Sequence, residues 1–460
     1  MSIIIPANSA TGNNLGYQVA NGVRFNSASS ESLSRDPSSS GSLIGTNTIS
    51  FWVKRSTDNT EAFLVYAIYD ANYRFKATFL ANGKLQLNTI IGGSNNLVYE
   101  TNRLFRDTSA WYHLVFAFDG RLAVSAGDRC RIYVNGVEET SFSTETNMGS
   151  DTSNFMSDKD ADVYIGAQAT GNFFDGYISE FVFIDEQQLT PTSFGEFNAD
   201  SGVWQPLESV ADLTFGTNGF YLDFQDSSAL GNDVSGNNND YTANNLAAID
   251  QTTDTCTNNF ALLNSIDNGY GTINFTQGNT QGAGSGSGWK AARASMGVSS
   301  GKWYWEVNMS GSNQMGVSNE TIDMDNDNSQ DLVGVTVFYN ASGGVIRTDG
   351  SQVGGTTATF AADGSDIAGY ALDMDNKKLS IYKNGSIIVT NTALSTSITD
   401  FALPFFSVNG GGDWKVNFGN PSVALDNAGV ADGNGRGSFE YAPPSGYLSL
   451  CSLNLSEELS

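Results

Sequence analysis

The chain has 460 residues, more than one ordinary core accommodates, so two domains are expected. Its formal charge of −27, from 22 basic and 49 acidic residues, argues against nucleic acid as a ligand, because affinity for phosphates comes mainly from Lys and Arg displacing counterions. The same charge makes anionic membranes and anionic polysaccharides poor direct partners unless a divalent cation bridges them or the local surface departs from the average, whereas a neutral glycan or another protein is easier to accommodate.

Fifty glycines against eight prolines, with Asn-Gly repeatedly set between short apolar stretches, indicate many strands joined by tight turns. The expected fold class is all-β, two antiparallel β-sandwich domains joined by a Gly/Asn-rich connector. The cysteines Cys130, Cys256 and Cys451 cannot build a disulfide framework, and no pair has CxxC spacing, so the fold is expected to rest on packing with its thiols reduced. The segment from Met1 to Asn8 has neither the basic nor the apolar part of a secretory signal, and no stretch approaches the ~20 apolar residues of a membrane span. These features predict a chain made and folded in a cytoplasm, with no membrane insertion.

In chain order, the first domain is expected over residues 1–205. From Phe51 to Phe183 the pattern is one of short strands. Leu114, Phe116 and Phe118 alternate as one apolar face, and Cys130, Ile132 and Val134 do the same ahead of Asn135-Gly136. Asn82-Gly83 also sits between two apolar arms. Asn-Gly suits a two-residue type I′ turn, which needs positive φ at both central positions, so each of these predicts a hairpin. Residues 206–254 are expected to form the connector, since the run from Gly231 to Asp240 is almost wholly turn-forming. The run Gly282 to Gly288 has almost no side chains to pack and predicts a loop that is mobile or lies against another surface. Strand patterns resume in the second domain, residues 255–460, at Trp303–Val307, Ala368–Val389 with a turn at Asn384-Gly385, and Trp414–Phe418.

Ordered words in the first half, Thr48 to Lys54, Trp111 to Val115, Ile132 to Val137, Ile165-Gly166 and Phe174 to Phe181, resemble the laminin-G-like or concanavalin-A-like lectin domain. The resemblance implies two antiparallel sheets packed as a jelly roll. The second half is similar to a SPRY domain through Gly301 to Val307, Gly316 to Ser318, Gly369 to Asn376, Leu379 to Gly385, Pro404 to Phe406 and Val416 to Gly419. The segments Tyr221 to Tyr241 and Phe439 to Leu448 resemble segments that accompany such domains in structural proteins of marine tailed bacteriophages. Both families are mainly binding modules, and fold alone does not fix a ligand.

Catalysis has little support. The single histidine, His113, lies in a strand opposite the Leu114, Phe116 and Phe118 face, which favours a structural or surface role. Jelly-roll glycosidases set two carboxylates across a sugar bond, and the chain lacks the E-x-D-x-x-E strand motif of one such family, although 49 carboxylates leave room for a pair without that motif. Asp323, Asp325, Asp327 and Asp331 form a candidate Ca²⁺ loop, but Asn328 replaces the turn glycine of an EF-hand and Gly334 its bidentate Glu, so a solvated acidic loop is the favoured reading. Trp52, Trp111, Trp303, Trp305 and Trp414 lie in strand words and are expected in cores. Phe173, Phe174, Trp204, Tyr270 and Trp289 lie near turns or Gly-rich loops and are the candidates to stack on sugars or partner chains. Together these readings predict a non-catalytic bacteriophage virion surface protein, a head or tail fibre or decoration, assembled in the host cytoplasm. It would bind a host-surface glycan or receptor or neighbouring virion proteins, with a homotrimer as the expected assembly. The alternatives are a cytoplasmic or cell-surface interaction protein and a polysaccharide-degrading enzyme.

Overall fold

A strand that buries every second residue needs another sheet to cover that face. The computed structural model describes residues 16–40, 45–121, 123–269, 272–324, 333–339, 344–355, 359–361 and 363–458, and it meets this need twice, in two compact units. The first spans Gly12–Asn258. Its front sheet runs, in spatial order, Phe142–Thr146, Ser94–Leu104, Lys84–Ile91, Tyr73–Phe79, Ala62–Asp70, Asp162–Ile165, Ser32–Arg35 and Thr242–Asn244. The back sheet runs Val137–Glu138, Cys130–Val134, Tyr112–Asp119, Thr46–Arg55, Gly176–Asp185, Gly22–Phe25 and Gln251–Thr252, with Phe220–Leu222 also paired to Gly176–Asp185.

Phe75, Ala77 and Leu87 from the front sheet meet Phe51, Leu114, Phe116, Phe118 and Phe181 from the back, all fully buried. Phe51 stacks on Phe181 with ring centroids 4.9 Å apart and meets Phe116 edge-on at 5.8 Å. Burying each such side chain contributes about 1.5–3 kcal/mol. The expected apolar face of Tyr112–Asp119 is thus the inner one.

Two Asn-Gly pairs form the expected two-residue hairpins: Asn135 and Gly136 have φ of 49° and 78° between Val134 and Val137, and Asn384 and Gly385 have 47° and 74° between Lys383 and Ser386. The third pair also closes a hairpin, but by a longer loop. Phe79 pairs with Leu85, Gly83 N donates to Leu80 O, and only Gly83 of the pair takes positive φ.

The segment expected as a connector is instead part of the first unit, and the boundary falls after Asn258. It supplies three strands: Phe220–Leu222, Thr242–Asn244 and Gln251–Thr252. Turn-forming composition was a poor guide here because the polar side chains satisfy the backbone in place of a ladder. The Asp233 carboxylate accepts from the amides of Tyr221, Ser235 and Asn239 at 2.8–2.9 Å, and the Asn237 side chain donates to the Gly216 and Gly219 carbonyls.

The second unit, from Asn259 onward, is another antiparallel sandwich. One sheet runs Leu263–Asn268, Trp289–Ala294, Leu403–Asn409, Ser312–Ser318, Val335–Tyr339, Val345–Thr348 and Ser351–Gly355. The other runs Thr272–Thr276, Gln281–Ser285, Asp413–Asn417, Lys302–Ser310, Asp363–Asp373, Lys378–Lys383 and Ser386–Ala393, and Leu448–Ser449 adds to Lys302–Ser310 in parallel. Trp303, Trp305 and Trp414 lie in the core between them, as expected. The expected glycine loop is a correction: Gln281–Ser285 is a strand paired on both sides. A Cβ on Gly282 would come within 3.2 Å of the Trp414 indole, and one on Gly284 within 2.8 Å of Val408 Cγ1, so bare backbone is what lets this strand pass over large side chains.

Glu306 fastens the C-terminal segment to that sheet. Its buried carboxylate accepts from the amides of Glu440 and Tyr441 at 2.8 Å each and from the Tyr304 hydroxyl at 3.2 Å. Burial raises its pKa to about 7 despite those donors.

Two outcomes follow. A fragment ending at residue 258 unfolds cooperatively in urea, whereas one ending at residue 205 lacks three strands and separates buried Lys54 and Arg24 from Asp254 and Asp250. Breaking one buried pair costs about 3–5 kcal/mol, so circular dichroism of the shorter fragment should report an unfolded or molten chain. Because the folded carboxyl of Glu306 holds its proton up to about pH 7, its contribution is fully present below the ordinary value of 4.5 and is lost as pH rises through about 7. Glu306→Gln removes one amide acceptor but does not titrate, so the gap in melting temperature between it and the parent should narrow from pH 5 to pH 8.

Candidate functional site

The outer faces of the two sheets of the N-terminal unit differ. On the back sheet, Val115, Ala117, Val182 and Ile184 point away from the main core, and Phe194, Val210, Phe215 and Tyr221 cover them. Beside this apolar layer lies a set of buried polar contacts. Lys54 Nζ is 2.5 Å from Asp254 Oδ2 and 4.5 Å from the centre of the Tyr177 ring, while Asp254 Oδ1 accepts from Trp111 Nε1 at 3.1 Å. Arg24 pairs with Asp250 at 3.3 Å. Burial pulls the Lys54 ammonium below its usual range, and the Asp254 charge opposes that shift.

His113 is on this covered face. Its Nε2 is 2.9 Å from Ser50 Oγ, and its Nδ1 is 2.9 Å from Trp204 Nε1. An indole N–H only donates, so Nδ1 is the acceptor and Nε2 must carry the proton in the neutral ring. Nε2 therefore donates to Ser50, the reverse of what activation of a serine needs. The ring is 1% exposed, and burial lowers its pKa to about 3.

Several expected contact residues are used in the same structural way. Trp204 is buried, with its ring edge-on to Phe197 at 4.9 Å, and Phe174 packs in the core 6.1 Å from Phe25. Trp289 is also buried, on a strand next to Leu403–Asn409. These three are corrections: loop-like surroundings in sequence did not leave their rings exposed. Phe173 is half-buried, and Tyr270 lies outside the described residues. Trp52 is a strand residue as expected and Trp111 immediately precedes the strand Tyr112–Asp119, yet neither is in the core between the sheets: Trp52 stacks on His113 at 4.8 Å on the covered outer face, and Trp111 is half-buried on Asp254. Asp323 is exposed, whereas Asp325, Asp327 and Asp331 lie outside the described residues. Among the described residues no group of three His, Cys, Asp or Glu is placed to hold a metal, and no helix is long and apolar enough to cross a membrane.

The outer face of the front sheet carries a groove of about 290 Å³. It is lined by Tyr66, Arg74, Lys76, Gln86, Asn88, Ile90, Asn95, Val98 and Gln168, none of them a carboxylate. Register explains the assembly. Thr242, Ser34, Tyr164, Tyr66, Lys76, Asn88, Val98 and Thr146 are successive partners across all eight strands. A second row joins Asp162, Ile68, Arg74, Ile90 and Asn95, and a third joins Phe63, Thr78, Gln86, Glu100 and Thr144. Asn88 donates to Asn95 at 3.0 Å, and Lys76 lies 3.4 Å from Glu61 with its ammonium 5.6 Å from the Phe63 ring centre. At one end, Gln168 comes from the loop before Phe173, its side-chain oxygen held by Asn172 at 2.9 Å. Amides and a guanidinium are groups suited to a hydroxyl-rich ligand, while the Tyr66 ring is buried at the groove's base against Phe63 and Tyr164.

None of these lining residues was anticipated. The signal was present in the polar half of the alternation Arg74-Phe75-Lys76-Ala77 and Leu85-Gln86-Leu87-Asn88, whose apolar half is the core.

Residues 25–193 match the family model Laminin_G_3, described as the concanavalin A-like lectin/glucanases superfamily, and the N-terminal unit has that lectin fold. No curated protein matches the chain. Similar solved structures include the SPRY domain of human HERC1, at 20% identity over 34% of this chain and 96% of that one, TM-score 0.28. A putative carbohydrate binding protein from Bacteroides ovatus shares 15% identity over 50% of this chain and 59% of its own, TM-score 0.34. Domain 4 of AbnA, a GH43 extracellular arabinanase from Geobacillus stearothermophilus in complex with arabinotriose, shares 21% identity over 34% and 67%, TM-score 0.25.

As the sole histidine, His113 is directly assignable by NMR. Its ¹⁵N signals should report a neutral ring with the proton on Nε2, unchanged between pH 5 and pH 8. A titration near pH 6.5 would show that Trp204 does not seal it.

Proposed function

We infer that this chain is a non-catalytic binding protein on the exterior of a bacteriophage particle, a head or tail fibre or decoration, and that it holds a host-surface glycan in the front-sheet groove. The observation that carries the glycan reading is the contrast between the outer faces of one sandwich. The back face is sealed by residues 186–258, while the front face presents side-chain amides and a guanidinium around a groove. Hydroxyl groups of a sugar match such donors and acceptors.

Absence of catalysis is supported by two features of the site. Hydrolysis of a glycosidic bond uses two carboxyl groups flanking that bond, and the groove lining is made of other residues. The histidine is committed to Trp204 and Ser50. The virion placement rests on the resemblance of Tyr221 to Tyr241 and Phe439 to Leu448 to phage structural proteins. It fits three free cysteines, which suit folding in a reducing compartment and release by lysis.

The test combines binding with location. Purified protein should bind fragments of host-surface polysaccharide without releasing reducing ends. Gln86→Ala and Asn88→Ala should each weaken binding by roughly 2- to 10-fold, the worth of a hydrogen bond of about 0.5–1.5 kcal/mol, in variants that circular dichroism shows to be folded. Immunogold should label intact particles. Reducing ends lost on mutation of one Asp or Glu would replace this reading with a hydrolase, and protein found only in uninfected cells would replace the phage assignment with a cellular interaction protein.

A further inference from the structure

We propose that the groove selects an anionic sugar, one carrying a carboxylate or sulfate group, and that Arg74 is the residue that recognises it. This rests on the glycan reading and adds the class of glycan. The ground is a local inversion of charge. Acidic residues outnumber basic ones 49 to 22 in the chain, yet the ionic residues that line the groove are Arg74 and Lys76. They stand two apart on one strand, so both point to the same face about 7 Å from each other.

The carboxylates around this face are engaged elsewhere or too far away, and Asp70, which opposes Tyr73 in the hairpin of Arg74, accepts from the Asn72 amide and makes no ion pair with Arg74 among the described residues. Glu100 pairs with Lys84 at 2.9 Å and accepts from Ser143 at the same distance. Asp162 shares a register row with Arg74 but lies two strands away, about 10 Å. Glu61 does pair with Lys76, at 3.4 Å, but both side chains are partly exposed. Such a pair is worth about 0–1 kcal/mol, so a ligand anion can take its place at little cost.

Arg74 is held in position without being neutralised. It is half-buried and donates to the Ala71 carbonyl of its own hairpin, and among the described residues no carboxylate pairs with it. A guanidinium has five N–H donors in a planar fork that matches the two oxygens of a carboxylate or sulfate. The chain's overall negative charge does not prevent this, because at physiological salt exposed charges beyond about 8 Å are largely screened.

The test is calorimetric titration of the full chain with three hexasaccharides of equal length, one neutral, one of uronic acid and one sulfated. At least one charged ligand should bind tenfold or more tighter than the neutral one and weaken as NaCl rises from 0.1 to 0.5 M. A gain for the uronate alone identifies a carboxylate ligand, and a gain for the sulfated sugar alone identifies a sulfate ligand. Arg74→Gln should abolish the margin of the charged ligands over the neutral one, whereas Asn88→Ala should weaken every ligand that binds and leave that margin in place. If the neutral sugar binds as tightly as the others and Arg74→Gln changes nothing, selection of an anion is wrong and the glycan reading stands. If no sugar binds, or Asn88→Ala leaves all binding unchanged, the glycan reading fails and this inference fails with it.

Discussion

Lys54 lies under a layer of protein with no water to solvate its ammonium, and Asp254, two hundred residues further along the chain, supplies the compensating charge. A buried lysine left without such a partner is strongly destabilising, so the segment that carries Asp254 cannot leave the back sheet without a large cost. Arg24 and Asp250 make the same demand a few residues away. These contacts tie down the end of the N-terminal unit and with it the layer over Val115, Ala117, Val182 and Ile184. Once that layer is in place, the front sheet is the one with an open outer face. The groove is thus a consequence of where the chain places its covering layer, as well as of the residues that line it.

The covering layer also decides the fate of residues whose chemistry looks reactive. Ser50 and His113 are within hydrogen-bond distance, a pairing that would suggest a nucleophile and its base in an open cleft. Trp204 settles the tautomer by donating to Nδ1, and burial keeps the ring neutral. Three polar groups that would each be costly to bury alone become a satisfied set, and their shared effect is to fix Trp204 over the back sheet.

Much of the fold was legible because the inner halves of the strands are written as plain alternation. Leu114, Phe116, Phe118 and Cys130, Ile132, Val134 face the core as their spacing requires. The two-residue turns at Asn135 and Asn384 follow from the φ values that Asn-Gly tolerates. Residues 206–254 were misread because Asp233 and Asn237 hold the backbone by long-range hydrogen bonds, which local composition does not reveal. Gly282 and Gly284 were misread because a missing side chain resembles a loop until the indole above it is known. The groove was missed for a related reason. Arg74, Lys76, Gln86 and Asn88 are adjacent only through register across strands, and a sequence shows which face a residue is on long before it shows its neighbours on that face.

The Asn-Gly turns have a consequence for the chemical ageing of the protein. Asparagine followed by glycine is the pair most prone to deamidation, because the small glycine lets its own backbone nitrogen attack the side-chain carbonyl and close a succinimide ring. In the three hairpin turns at Asn82, Asn135 and Asn384 the side-chain amide is already engaged. The Asn135 oxygen accepts from the His113 amide at 2.7 Å, the Asn82 oxygen from the Lys84 amide at 3.1 Å, and Asn384 bonds to Ile367 N and to Asp366 through its two ends. These bonds restrain the side chains while the hairpins stay closed. The damage rate at each of these three turns is therefore set by how often that hairpin opens, so isoaspartate accumulating at Asn82, Asn135 or Asn384 in stored protein is a clock for local unfolding.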